Sequence, residues 1–243
     1  MPDILAIHAA NTPDKIAVVD PARDRETSFQ QLNALVNQIV RAFSELGIKR
    51  GERLVWCGPN SLFVLAVIHA ARKAGLVAVP LSYRFTGEEM AYVIDNSGAS
   101  IVIIDAEQSS VIAPHVAEIK RVHHWLSFDG DIELGFESLE TLLAVQLDEE
   151  PDEPSNKDLA TAGSSMIYTS GTTGKPKGAL RTTSDTETVF ALLVALNLQG
   201  ADEVHITTGP LYHSGPLAFA TMTHSLGCPI VLLRKFNPSD WLR

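Results

Sequence analysis

Short apolar strand candidates alternate with segments of helical period along this chain, and that alternation restricts the fold more than any other feature. Ser28 and Gln31 have the spacing of a reciprocal helix start. Leu32, Leu35, Val36, Ile39, Val40, Phe43 and Leu46 then recur at helical spacing, and Gly47 ends the pattern. A strand is predicted at Arg53–Cys57, then a helix capped by Asn60 or Ser61 and ending before Gly75, then a strand at Val77–Pro80. Thr86 and Glu89 predict a second reciprocal cap for a helix reaching about Asn96. The uninterrupted run Ile101-Val102-Ile103-Ile104 has the character of a strand covered on both faces. The expectation is an α/β fold, with mainly parallel sheets flanked by helices.

The second part continues the alternation. Strands are expected at Ser165–Tyr168, Val204–Thr207 and Ile230–Leu233, and helices over Asp185–Leu198 and Leu217–Leu226. Asn237 or Ser239 would cap a last, short helix start. Between the two parts, Asp148–Asp158 is acidic and holds Pro151 and Pro154, which suits a solvated connection and a sub-boundary.

Directly after the Ser165–Tyr168 strand lies Tyr168-Thr169-Ser170-Gly171-Thr172-Thr173-Gly174-Lys175-Pro176-Lys177-Gly178. Glycines let the backbone approach a ligand, hydroxyls add donors, and lysines add mobile charge. These are the parts of a polyphosphate cradle. A Walker A loop is excluded, because Gly171 and Gly174 are only three positions apart and Pro176 follows Lys175. The proline also disfavours helical geometry at Lys175. A Rossmann G-x-G-x-x-G is absent. The plain alternative for such a composition is a flexible linker. Charge favours the cradle: the chain carries a net −10, yet Leu159–Ser184 contains no Asp or Glu and includes Lys175, Lys177 and Arg181. The overall acidity argues against nonspecific nucleic-acid binding.

The order of residues in this loop resembles the signature of the adenylate-forming superfamily, which includes acyl- and aryl-CoA synthetases. Asn11-Thr12-Pro13-Asp14-Lys15-Ile16-Ala17-Val18 is similar to the family's amino-terminal segment, and Arg72-Lys73-Ala74-Gly75 with Val79-Pro80-Leu81 resembles an early core motif. Pro210-Leu211-Tyr212-His213 resembles the motif downstream of the loop. The resemblance implies the incomplete amino-terminal domain of the synthetase fold over 1–243, without the small carboxy-terminal domain or the later adenine, ribose and hinge motifs. It implies activation of a carboxylic acid, a small-molecule partner, by ATP with Mg2+, followed by thioester formation with coenzyme A. Thr169, Ser170, Gly171, Thr172, Thr173 and Gly174 would wrap the β- and γ-phosphates, with Lys177 as the usual basic residue and Lys175 at a more variable place. His213 would line the acyl pocket; its alternative is a loop histidine satisfied by backbone partners. One departure stands out, since Leu180-Arg181-Thr182-Thr183 replaces the Thr-His pair of many relatives. A second reading keeps the chain as a non-catalytic ATP- or phosphate-binding piece.

Cys57 and Cys228 are too few for a disulfide framework, and Cys57 sits in an apolar run that suits an inert buried thiol. His123 and His124 are adjacent, so on a strand they would point to opposite faces, and no metal site is expected from them. The apolar runs near Leu62–Ala71 and Val189–Leu196 are too short to cross a bilayer, and no secretory signal is visible. A cytoplasmic location is the expectation.

Overall fold

In a computed structural model, the described residues are 3–151, 164–169, 175–181, 191–192, 194–196, 198 and 203–241. They divide into two units, Met1–Leu35 with Asn60–Leu62 and Thr183–Arg243, and Val36–Pro59 with Phe63–Thr182.

The first unit contains helix α1 (Ile4–Asn11) and strands β1 (Ile16–Asp20) and β2 (Arg25–Ser28). At its end Ser28 and Gln31 exchange the expected bonds, Ser28 N–H to Gln31 Oε1 at 2.9 Å and Gln31 N–H to Ser28 Oγ at 3.2 Å. They open helix α2 (Phe29–Glu45), whose Leu32, Val36, Ile39 and Phe43 are all buried. The predicted period is therefore the buried face of the helix.

The larger sheet belongs to the second unit. Strands β3 (Arg53–Cys57), β4 (Val77–Leu81), β5 (Ile101–Asp105) and β6 (His124–Phe128) pair in parallel. Helices α3 (Leu62–Lys73) and α4 (Gly87–Ser97) connect β3 to β4 and β4 to β5, and α5 (Ala106–Ile112) follows β5. The short β7 (Glu137–Ser138) precedes α6 (Leu139–Leu143), and β8 (Ser165–Thr169) and β9 (Lys177–Arg181) finish the sheet. The order is β7-β6-β5-β3-β4-β8-β9, and only the β8–β9 pair is antiparallel. All five residues of β5 are buried, which is why its sequence reads as a continuous apolar run.

Side-chain alternation sorts the sheet faces. Val55 and Cys57, Val79 and Leu81, and Val102 and Ile104 share one core cluster with Met90, Val93 and Ile94 of α4. Thr86 caps α4 as expected, accepting from Glu89 N–H while Glu89 accepts from Thr86 N–H. Gly98 ends that helix at φ 66°, a left-handed conformation natural to glycine. The beginning of the acidic connection is tied down rather than merely solvated. Asn37 donates to Asp148 O at 2.8 Å, and Lys73 Nζ lies 2.6 Å from a Glu150 carboxylate oxygen. Much of the predicted Asp185–Leu198 helix lies outside the described residues.

The smaller sheet, in the first unit, has the order β10-β11-β1-β2, with β10 (His205–Ile206) and β11 (Ile230–Val231) both shorter than the apolar runs that predict them. Helix α7 (Ser214–Ser225) begins three residues earlier than predicted, at the polar Ser214-Gly215 step. Buried His224 donates from Nε2–H to Ala17 O at 2.9 Å, and Phe29 packs between His224 and His8. A four-residue helix, α8 (Pro238–Trp241), ends the described chain, with Asn237 Oδ1 accepting from Ser239 N–H.

Candidate functional site

The glycine-rich loop leaves the carboxyl end of β8, where open α/β sheets place ligands. Its return is a strand with no counterpart among the elements expected from the sequence. Thr169, the last residue of β8, pairs with Lys177, the first of β9, in an antiparallel hairpin. Lys177 is exposed, as are all five β9 residues. That exposure hides the strand from sequence inspection, because no apolar alternation marks it. Ser170, Gly171, Thr172, Thr173 and Gly174 lie outside the described residues.

Helix α4 supports both legs of the hairpin. Tyr168 Oη donates to Asn96 Oδ1 at 2.7 Å, and Tyr92 Oη donates to Pro176 O at 3.1 Å. Lys175 Nζ stands 4.7 Å from the centre of the Tyr92 ring, within cation–π range. Lys175 is thus engaged beside the loop by an aromatic face, whereas Lys177 has no such contact among the described residues. Burial raises the Tyr168 phenol above its ordinary range, the nearby Tyr92 adds to this, and Arg53 opposes it. Tyr92 and Asn96 were not legible as loop supports: they sit one turn apart on a helix distant in sequence from the loop.

The other segment, Pro210–His213, lies in the first unit. Its backbone is organised by Asn60, which is 5% exposed. Asn60 Nδ2 donates to Gly209 O at 3.0 Å and to Leu233 O at 3.1 Å, and Oδ1 accepts from Leu211 N–H at 2.9 Å. Of the two residues expected to cap α3, Asn60 thus commits its amide to this turn, while Ser61 stands immediately before Leu62 where the helix begins. His213 stands at the N-cap position of α7 with an exposed ring tilted against Tyr212, their centroids 4.4 Å apart. Its carbonyl accepts from Leu217 N–H, but its ring makes no capping bond.

His123 precedes β6 and is exposed, while His124 begins the strand. Among the described residues no group of three or more His, Cys, Asp or Glu side chains could hold a metal ion. Cys57 is fully buried, and its burial, reinforced by Asp105, pushes the thiol far above its usual range. No helix among the described residues is long and apolar enough to cross a membrane.

Comparison with known proteins gives this geometry a context. The long-chain-fatty-acid–CoA ligase FadD13 of Mycobacterium tuberculosis is 27% identical over 238 residues, covering 96% of this chain and 45% of that protein. The indoleacetate–CoA ligase of Aromatoleum aromaticum is 30% identical over 234 residues, covering 95% of this chain and 44% of that protein. An inhibitor-bound structure of the N-terminal domain of FACL13 from Mycobacterium tuberculosis superposes with a TM-score of 0.81 at 26% identity, covering 98% of this chain and 58% of that one. The chain spans about half the length of the curated relatives it matches. A model of the family described as AMP-binding enzyme matches residues 5–243. The chain belongs to the AMP-binding enzyme family, with the α/β fold of the N-terminal domains of adenylate-forming ligases.

Proposed function

We propose that the protein carrying this chain activates a carboxylic acid with ATP and passes the acyl group to coenzyme A. A carboxylate is a poor acyl donor because its oxygen is a poor leaving group. Attack of a carboxylate oxygen on the α-phosphorus, with loss of pyrophosphate, converts it into an acyl-adenylate. The thiol sulfur of coenzyme A then attacks the acyl carbon and AMP leaves. Reactions of this kind gain most from positioning and from neutralising phosphate charge.

The observation that carries the proposal is the β8–β9 hairpin, which sets Thr169 opposite an exposed Lys177 at the base of a glycine-rich loop. In this reading Thr169, Ser170, Gly171, Thr172, Thr173 and Gly174 hold the β- and γ-phosphates, with Lys177 supplying the principal charge. Lys175 contributes less because Tyr92 already engages it. His213 borders the acyl pocket near the substrate carboxylate. Mg2+ would be bound through phosphate oxygens and water and would offset their charge. The 1–243 segment would form the amino-terminal adenylation portion, with the acidic 148–158 connection as a sub-boundary. A cytoplasmic location, where ATP and coenzyme A are available, suits the reaction.

The test is acid-dependent ATP–pyrophosphate exchange by the protein carrying this chain, across fatty, aryl and short-chain acids. At least one acid should support exchange, and Lys177→Ala should slow it by at least about tenfold, the scale of one lost charged hydrogen bond. Exchange by Lys177→Ala at the parental rate would overturn the assignment of the loop. ATP binding without exchange, for every acid tried, would favour a phosphate-binding role instead.

A further inference from the structure

A second concentration of positive charge lies at the amino-terminal ends of the parallel strands. Arg53 opens β3, and Ser100 and His123 stand immediately before β5 and β6. Ser100 N–H donates to Arg53 O at 3.0 Å and His123 N–H donates to Ser100 O at 2.9 Å. The ladder thus extends one residue beyond the strands and sets these three residues side by side. Thr169 and Lys177, by contrast, meet at the carboxyl end of β8.

The three residues border a cleft of about 340 Å³, completed by Gly51, Glu52, Gly98, Lys120 and Arg121. Its charged lining comprises Arg53, Lys120, Arg121 and Glu52, a net charge of +2 with His123 neutral, in a chain whose net charge is −10. Glu52 does not neutralise the guanidinium groups directly. Its Oε2 accepts from Ser100 Oγ at 3.0 Å and from Lys49 N–H at 3.3 Å. Lys120 Nζ donates to Ala117 O, and Arg53 Nη1 donates to Ser97 O at 2.7 Å.

Gly98 reveals how near the two arginines are. A Cβ at this glycine would lie 2.9 Å from Arg53 Nη1 and 3.1 Å from Arg121 Nη1, so these two nitrogens are no more than 6.0 Å apart, the sum of the two distances. Gly98 is left-handed at φ 66° and bears no side chain, which lets both guanidinium groups approach the place a Cβ would occupy. Two like charges within this distance repel, and an anion between them would offset that repulsion. Guanidinium groups match phosphate oxygens in a fork geometry, which favours a tetrahedral oxyanion over a halide.

We infer that this cleft is a phosphate-binding site, separate from the glycine-rich loop, in which Arg53 and Arg121 converge on one phosphate dianion above Gly98. Lys120 and His123 stand at its rim. The phosphate is either inorganic or carried by a small organic molecule, and the two sources share the same recognition chemistry. Its location at the opposite strand ends makes it an ancillary site, so the inference stands independently of the acid-activating reaction proposed above.

Nuclear magnetic resonance of the 15N-labelled protein carrying this chain tests this directly, by titrating inorganic phosphate or phenyl phosphate at constant ionic strength against a chloride control. The Gly98 and Ser100 amides and the Arg121 side-chain resonance should shift saturably, with a dissociation constant on the order of 1 mM or tighter. Arg121 is exposed, so Arg121→Ala should preserve the remaining spectrum while weakening binding at least tenfold, with partial recovery in Arg121→Lys. Saturation by inorganic phosphate supports a free ion, and saturation by phenyl phosphate alone supports an organic phosphate. Shifts matched by chloride, or unchanged affinity in Arg121→Ala, would overturn the inference.

Discussion

Asn60→Ala should loosen the Gly209–His213 turn far more than an ordinary loss of one polar side chain. The wild-type amide is buried and makes three hydrogen bonds, at 3.0, 3.1 and 2.9 Å, to Gly209 O, Leu233 O and Leu211 N–H. Each bond contributes roughly 1 kcal/mol net, and a buried group left unpaired adds roughly 1–3 kcal/mol. Three orphaned backbone groups, partly relieved by relaxation or water, give about 3–5 kcal/mol. The Leu211 amide is the most direct reporter, because Asn60 Oδ1 is its acceptor. Amide exchange reads local opening without requiring the whole chain to unfold in one step. The expected change is faster Leu211 exchange by on the order of a hundredfold or more, since roughly 1.4 kcal/mol is a factor of ten. Asn60→Asp separates the components: it retains an acceptor for Leu211 N–H but places carboxylate charge against two carbonyl oxygens. It should therefore also destabilise the turn. If Leu211 protection in Asn60→Ala stays within about threefold of the parent, the Asn60 bonds do not hold this turn.

Two further outcomes follow from burial. Cys57 should resist a thiol-directed alkylating reagent at neutral pH in the folded protein and react once denaturant exposes it, because the native thiol stays protonated and inaccessible; rapid native labelling would contradict the packing. Burial lowers the His205 pKa in the folded state, so the unfolded chain takes up the proton first on acidification. The His205 contribution is fully present above its unfolded value near 6.5 and is lost as pH falls below it. Chemical denaturation between about pH 7.5 and pH 5 should show a smaller acid-side loss in His205→Asn, and an identical slope would refute this account.

Elements with a local cause were legible in the residues themselves. The Ser28–Gln31 and Thr86–Glu89 caps lie three residues apart, so both partners are present in any short window of sequence. The buried β5 run and the α2 period likewise carry their burial in their own residue types. Strand β9 was not legible, because Lys177–Arg181 is held by pairing with β8 and not by an apolar pattern of its own. For the candidate site, the loop and its lysines stood out by composition and order. The supports did not: Tyr92 reaches Pro176 across 84 positions, and a tyrosine on a helix carries no mark of that distant partner.

The sequence by itself determined the alternation of strands and helices from α2 to β5, the acid-free window around the glycine-rich loop and the reciprocal starts of α2 and α4. These follow from propensity, capping and periodicity, which act over a few residues. Tertiary structure decided the strand order, the commitment of Asn60 to Leu211 rather than to a helix start, and the convergence of Arg53 with Arg121 above Gly98. Those outcomes depend on which distant segments pack together, because a buried amide takes the partners that packing places within reach, and Arg53 and Arg121 become neighbours only when parallel pairing through β5 brings the starts of β3 and β6 to one end of the sheet.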